Sequence, residues 1–304
     1  MKYSPLAWAA WNGHEAVVKL LLSRADIDAN KPGEHGQTPL LLAACNGHER
    51  VVKILLGRND IDPDNPDDSN RTPLVLAACN GHEVVVNMLL GRDDVNSNCS
   101  DEFGQTPLWL AAYNGHEGVV KMLLGRDDVD PNKSDRRGQT PLWLAARHGR
   151  KGVAEILLRR DDVNPDQPDK TGETPLGCAA SEGHELVVEM LLGRSDVNPN
   201  NSDYRGQTPL FWAAYCGYEG MVKVLLGRND VNPDKPDNKG QTPLSYAAKN
   251  GHVGVVEILL GRGDVNPDKP NNKGQTPLSY ATRNGHTRVI ALLQPPAAAT
   301  QSTS

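Results

Sequence analysis

Residues 72–91 read TPLVLAACNGHEVVVNMLLG, and this stretch decides the fold. Thr72 suits a helix N-cap, and Pro73 suits the first helical position, where its missing N–H costs nothing. A short helix is predicted through Leu74, Leu76, Ala77 and Ala78. Gly81 ends it as a residue able to take the left-handed conformation past a helix C-terminus. His82 and Glu83 open a second helix whose Val85, Val86, Met88, Leu89 and Leu90 form a broad apolar stripe, and Gly91 is expected to stop it in the same way. Two helices of about eight residues hardly persist alone in water, because nucleation is costly. Neighbours must supply the missing burial.

Those neighbours are copies. Thr-Pro-Leu returns every 34 residues, at Thr38, Thr72, Thr106, Thr140, Thr174, Thr208, Thr242 and Thr276, with Ser4-Pro5-Leu6 one period earlier. A fixed period of this size marks a solenoid, in which each unit stacks on the next. The expected organisation is an array over residues 1–294, with repeat helices starting near residues 4, 38, 72, 106, 140, 174, 208, 242 and 276, and a disordered tail over 295–304. Paired alanines such as Ala43-Ala44 and Ala111-Ala112 lack bulk and let helices approach. Segments such as Asp94-Val95-Asn96-Ser97-Asn98 are dense in turn formers and predict a turn or projecting hairpin rather than a buried strand. The fold class is therefore all-α with short projecting β-hairpins or turns.

The repeated Thr-Pro-Leu, Ala-Ala, Asn-Gly-His, Val-Val-x-x-Leu-Leu and Asp-Val-Asn, in register over nearly all of residues 1–294, resemble the ankyrin repeat. The wording Gly-Gln-Thr-Pro-Leu with Asp-Val-Asn-Pro-Asp is also similar to ankyrin arrays of filamentous fungi. Departures accompany the resemblance. The second helix stops early, at Gly57 and its equivalents, and the hairpin is longer, with a second proline in Pro63 to Pro66 and Pro233 to Pro236. The family's frequent His after Thr-Pro-Leu is replaced by Leu41, Val75, Trp109, Trp143, Gly177, Phe211, Ser245 and Ser279. Neither end carries an obvious polar capping repeat, which fits a portion of a longer protein.

The formal charge of -6 argues against coating nucleic acid or an anionic membrane, and no apolar run is long enough to span a bilayer. Five cysteines without CxxC spacing suit a reducing compartment. Cys45 and Cys79 hold equivalent places in adjacent units, about 10 Å apart by helix spacing and beyond the roughly 7 Å reach of a disulfide. Cys99, Cys178 and Cys216 have no obvious partners. The expected location is intracellular, the cytoplasm ahead of the nucleus.

Strict recurrence assigns most chemistry-bearing residues to the stack. His14, His48, His82, His116, His184, His252 and His286 lie too far apart to share a zinc with bonds of about 2 Å, which points to a turn role. Arg58, Arg92, Arg126, Arg160, Arg194, Arg228 and Arg262 each precede an aspartate by two residues and read as a structural ladder at helix ends. The acidic run Asp62-Pro63-Asp64-Asn65-Pro66-Asp67-Asp68 lacks the glycine and final Glu of an EF-hand loop and reads as a solvated turn. No nucleophile and base share a nonrepeating motif, so no catalytic, cofactor or metal residue is assigned.

Specificity must then sit where the units differ. The ankyrin resemblance implies docking on a concave face built from hairpin tips and first-helix ends. Along the chain the tips run Glu34/His35, Asp68/Ser69, Glu102/Phe103, Arg136/Arg137, Lys170/Thr171, Tyr204/Arg205, Asn238/Lys239 and Asn272/Lys273, from acidic to basic. Aromatic and arginine residues are the usual interface anchors. Phe103, Tyr113, Arg136, Arg137, Arg147, His148, Tyr204, Arg205 and Tyr215 are thus the candidate partner-binding residues. Units eight and nine are nearly identical, so Lys239, Lys249, Lys273 and Arg283 receive less weight. The expected activity is noncatalytic binding of another protein, with an acidic or phosphorylated segment suiting the arginines. A nuclear coregulator or nucleic-acid-associated regulator is the second class, which no Lys/Arg-rich import cluster supports, and an enzyme is the third.

Overall fold

Each Pro of the repeated motif begins a helix, because the residue before it caps one. Thr72 holds extended backbone and its Oγ1 accepts the Val75 N–H at 3.3 Å, while Pro73 fills the first helical position. Ser4 does the same for Ala7 at 3.1 Å. The computed structural model describes residues 3–294, so the tail expected at 295–304 lies outside the described residues. Contacts divide the described residues into two units, one running to Ala145 and including Arg150–Asn164, the other comprising Ala146–Gly149 and the residues from Pro165 onward.

In the first unit the helices are α1 Pro5–Trp11, α2 Glu15–Leu22, α3 Pro39–Cys45, α4 Glu49–Leu56, α5 Pro73–Cys79, α6 Glu83–Leu90, α7 Pro107–Asn114, α8 Glu117–Leu124, the start of α9 Pro141–Arg147, and α10 Lys151–Leu158. In two layers, α1, α3, α5 and α7 pack in sequence, as do α2, α4, α6, α8 and α10. The second unit repeats the plan with α11 Pro175–Glu182, α12 Glu185–Leu192, α13 Pro209–Cys216, α14 Glu219–Leu226, α15 Pro243–Asn250, α16 Val253–Leu260, α17 Pro277–Asn284 and α18 Thr287–Leu293. Odd-numbered helices again stack on odd, and even on even.

The layers differ in composition for a physical reason. An odd helix is covered by partners on most sides, so α5 buries Pro73, Leu74, Val75, Leu76, Ala77 and Ala78. An even helix has one covered face, so α6 buries only Val85, Val86 and Leu89. Of the residues replacing the family's His, Leu41, Val75, Trp109, Trp143, Gly177, Phe211 and Ser245 are buried and Ser279 in α17 is exposed, with the Trp109 indole N–H donating to the Gln139 carbonyl at 3.0 Å.

The structure corrects two readings of the glycines and acids. Gly81 has φ +73° as expected, but Gly91 has φ −73° and stays right-handed, and Arg159 holds the equivalent place after α10. The second helix ends without a left-handed residue. The Asp62–Asp68 run is not simply a solvated turn, since Asp67 is 6% exposed and its Oδ1 accepts the N–H groups of Ser69 and Arg71 at 3.0 and 2.9 Å. Asp101, Asp135, Asp169, Asp203 and Asp237 close their tips in the same manner. Such Asx bonding replaces a β-ladder. Among the described residues there is no β-strand, and adjacent tips join through single backbone bonds such as Arg136 N–H to the Phe103 carbonyl at 2.9 Å. The loops are not wholly exposed, because Ile61, Val95, Val129, Val163, Val197 and Val231 insert into the core.

Candidate functional site

The recurring histidines join one helix pair to the next. The Nε2–H groups of His48, His82 and His116 donate to the carbonyls of Trp11, Cys45 and Cys79 at 2.7, 3.0 and 3.0 Å. In the second unit His184, His252 and His286 reach the carbonyls of Arg147, Tyr215 and Lys249 at 2.9, 3.0 and 3.0 Å. Arg150 replaces the histidine in its repeat and donates from Nε to the Tyr113 carbonyl at 3.2 Å, so this departure in sequence keeps the structural bond. Among the described residues no three His, Cys, Asp or Glu side chains gather as a metal-holding group.

The Arg–Asp pairs form a second ladder. Arg92 meets Asp94 at 2.6 Å and also donates from Nη1 to the Leu56 carbonyl at 3.0 Å, at the end of α4. Arg126, Arg160 and Arg262 make the same double contact, to Leu90, Leu124 and Leu226. Each guanidinium therefore satisfies a helix-end carbonyl of the preceding pair. The hydrogen bonds from Arg126 and Ser97 hold the Asp128 carboxyl down at about 2. The five cysteines are free thiols. Cys99 does have a partner, the Thr72 hydroxyl at 3.1 Å, and burial pushes its thiol up to about 11, away from reactivity.

Of the nine candidate residues, Phe103, Tyr113, Arg136 and Arg137 belong to the first unit, and Arg147, His148, Tyr204, Arg205 and Tyr215 to the second. All nine are exposed, with Tyr204 at 74% and Phe103 at 57%. In the first unit, the backbone bond from Arg136 to Phe103 sets those two tips side by side. Tyr113 stacks on Trp109, with centroids 5.6 Å apart and planes within 10°. In the second, the Tyr204 ring covers Gly172, where a Cβ would lie 2.8 Å from Cδ1. Tyr215 stacks on Phe211 at 6.0 Å and meets Tyr246 edge-on at 5.8 Å. Stacking on buried rings pre-orders Tyr113 and Tyr215, which lowers the entropy lost on binding. Arg147 pairs with Glu182 at 3.1 Å, so its charge is partly offset within the chain.

Sequence comparison of the units set aside Lys239, Lys249 and Lys273 as products of duplication, yet the structure gathers them around one cavity of about 360 Å³. The signal was in the sequence as one letter: the tip-closing residue is Asp in six tips and Asn at 271.

No helix among the described residues is long and apolar enough to cross a membrane. A search of curated proteins gives no match. A family model described as ankyrin repeats, in three copies, matches residues 6–99, 85–169, 161–237 and 226–303. Capped helix pairs, left-handed glycine turns and carbonyl-bridging histidines repeat in step with that match, and the chain belongs to the ankyrin-repeat family.

Proposed function

We propose that this chain is a noncatalytic protein-binding module of nine ankyrin units, with the fungal-type repeat wording noted above, that reads a protein partner through its tips and first-helix ends. The observation that carries this reading is the exposure of Phe103, Tyr113, Tyr204 and Tyr215 at positions that vary while the rest of the unit repeats. Each of these rings keeps a large apolar face in water beyond what it packs on the stack, and exposed aromatic side chains are the commonest anchors of protein interfaces. Arg136, Arg137 and Arg205 beside them supply directional donors for acidic groups.

A pull-down from a native cell extract, with the chain as bait, tests the reading. Phe103→Ala with Tyr204→Ala, and separately Arg136→Glu with Arg137→Glu, are expected to lose the captured protein while the melting temperature stays that of the parent. Undiminished capture by both variants removes this surface from the proposal.

A further inference from the structure

The last tip carries the positive charge of Lys273 without the aspartate that closes the tip before it. At the six tips from Asp67 to Asp237 the closing residue is an aspartate. At the last it is Asn271, whose Oδ1 still accepts the N–H groups of Lys273 and Gln275 at 2.9 Å each. Its Nδ2 donates to the Tyr280 hydroxyl at 2.8 Å, where the preceding tip has the Tyr246 hydroxyl donating to Asp237 Oδ2 at 3.0 Å. The exchange of Asp for Asn keeps the turn and deletes its charge.

Around that neutralised tip lies the cavity of about 360 Å³, lined by Lys239, Lys249 and Lys273 together with Asn271, Asn272 and Tyr280, and by no Asp or Glu. Among the described residues none of the three ammonium groups forms an ion pair. Lys249 is instead steadied by aromatic faces, its Nζ 5.6 Å from the Tyr246 centroid and 5.9 Å from that of Tyr280. Other loop lysines are committed to the fold: Lys235 and Lys269 donate to the carbonyls of Asn200 and Asp234 at 2.6 and 2.8 Å. Three uncommitted cations at one concavity, in a chain of net charge -6, form a local field opposite to that of the whole.

We infer that this cavity receives a phosphorylated side chain of the protein partner. A single carboxylate would leave two of three cations unbalanced, whereas a phosphoryl group brings close to two charges and three acceptor oxygens in one compact group. Lysine suits it as a point charge with rotatable donors. A second concavity of about 290 Å³, lined by Arg205, Gln207, Asp237, Asn238 and Lys239, continues along the tips and gives the flanking peptide somewhere to lie. The inference rests on the reading of the chain as a protein-binding module.

The test is calorimetric titration of the full chain with a short Gly/Ala peptide carrying one phosphoserine. Its unmodified serine form, a Glu-Glu form and inorganic phosphate serve as controls. Saturable one-to-one binding is expected for the phosphopeptide, weakened about tenfold or more by Lys249→Gln or Lys273→Gln and by added salt. Circular dichroism should show both variants folded as the parent. Absence of saturable binding overturns the proposal, as does equal affinity in the lysine variants. Equal affinity for the Glu-Glu or serine peptide overturns the phosphoryl assignment, and inorganic phosphate binding as tightly as the phosphopeptide overturns the peptide source. A captured protein partner that binds the lysine variants as well as the parent would leave the protein-binding reading standing and sink this one alone.

Discussion

At the residue scale, one loop position shows how a single atom changes stability. Asn132 and Asn200 use Oδ1 to accept the N–H of Asn164 and Asn232 and Nδ2 to donate to the carbonyls of Asp162 and Asp230. Asp64 and Asp234 hold the same place. Oδ2 accepts from Asn96 and Asn266 at 2.7 and 2.8 Å, but Oδ1 is buried without a partner, where asparagine would have a donor. An unsatisfied buried acceptor costs on the order of 1 kcal/mol or more. Asp64→Asn and Asp234→Asn are each expected to stabilise the chain by about 1 kcal/mol in urea unfolding. Burial pushes the Asp64 carboxyl up, aided by the charges of Asp62 and Asp94 and opposed by the Asn96 N–H. The folded state then holds this proton more tightly than the unfolded chain. The favourable contribution is full below the unfolded value of about 3.9 and is lost as pH rises through the raised folded value. The advantage of Asp64→Asn should therefore shrink on acidification. Asp128, held down by Arg126, has the opposite sign, its contribution present near neutrality and lost as pH falls toward about 2.

At the scale of the element, two glycines in one helix pair have different jobs. Gly81 needs φ +73°, and a Cβ there would sit 2.6 Å from Nδ1 of His116, the residue that bridges to the next pair. Gly81→Ala is expected to cost about 1–3 kcal/mol in urea unfolding. Gly91 is right-handed with open surroundings, its nearest contact the Asn87 carbonyl at 3.4 Å. Gly91→Ala should be neutral or stabilise by up to about 1 kcal/mol, through lower chain entropy in the unfolded state. The caps, both helices and the left-handed turn at Gly81 were legible in the sequence because each depends on a residue's own backbone preference. The role of Gly91 was not, since a glycine's presence does not reveal which of its permitted conformations is used. Nor was the tip: Asp101 looks like any exposed turn acid until its Oδ1 is seen to accept the Phe103 and Gln105 N–H groups at 2.9 Å each.

At the scale of the whole molecule, stability is a sum of neighbour contacts within each unit, so it should be lowest in the helix pairs that bury least. In the second unit α17 buries only Pro277, Tyr280 and Ala281, and α18 only Val289 and Leu293, against six buried residues in α15. Amide hydrogen exchange is expected to be fastest in α17 and α18 and slower in α13 and α15; uniform protection across these helices would refute the neighbour-sum picture. Sequence by itself determined the period, the helix pairs, their caps, the arginine ladder and the structural place of the histidines, because a property repeated from unit to unit must belong to the stack. Only the tertiary structure decided which exceptions matter. Arg147, a candidate binding residue, is paired with Glu182; Arg150, in place of the recurring histidine, bridges to Tyr113; and Lys249, given less weight as a duplicate, stands over two tyrosines. The reason is distance: a side chain's available charge depends on atoms 34 or more residues away, and pairing across that gap is set by packing rather than by any local preference of the chain.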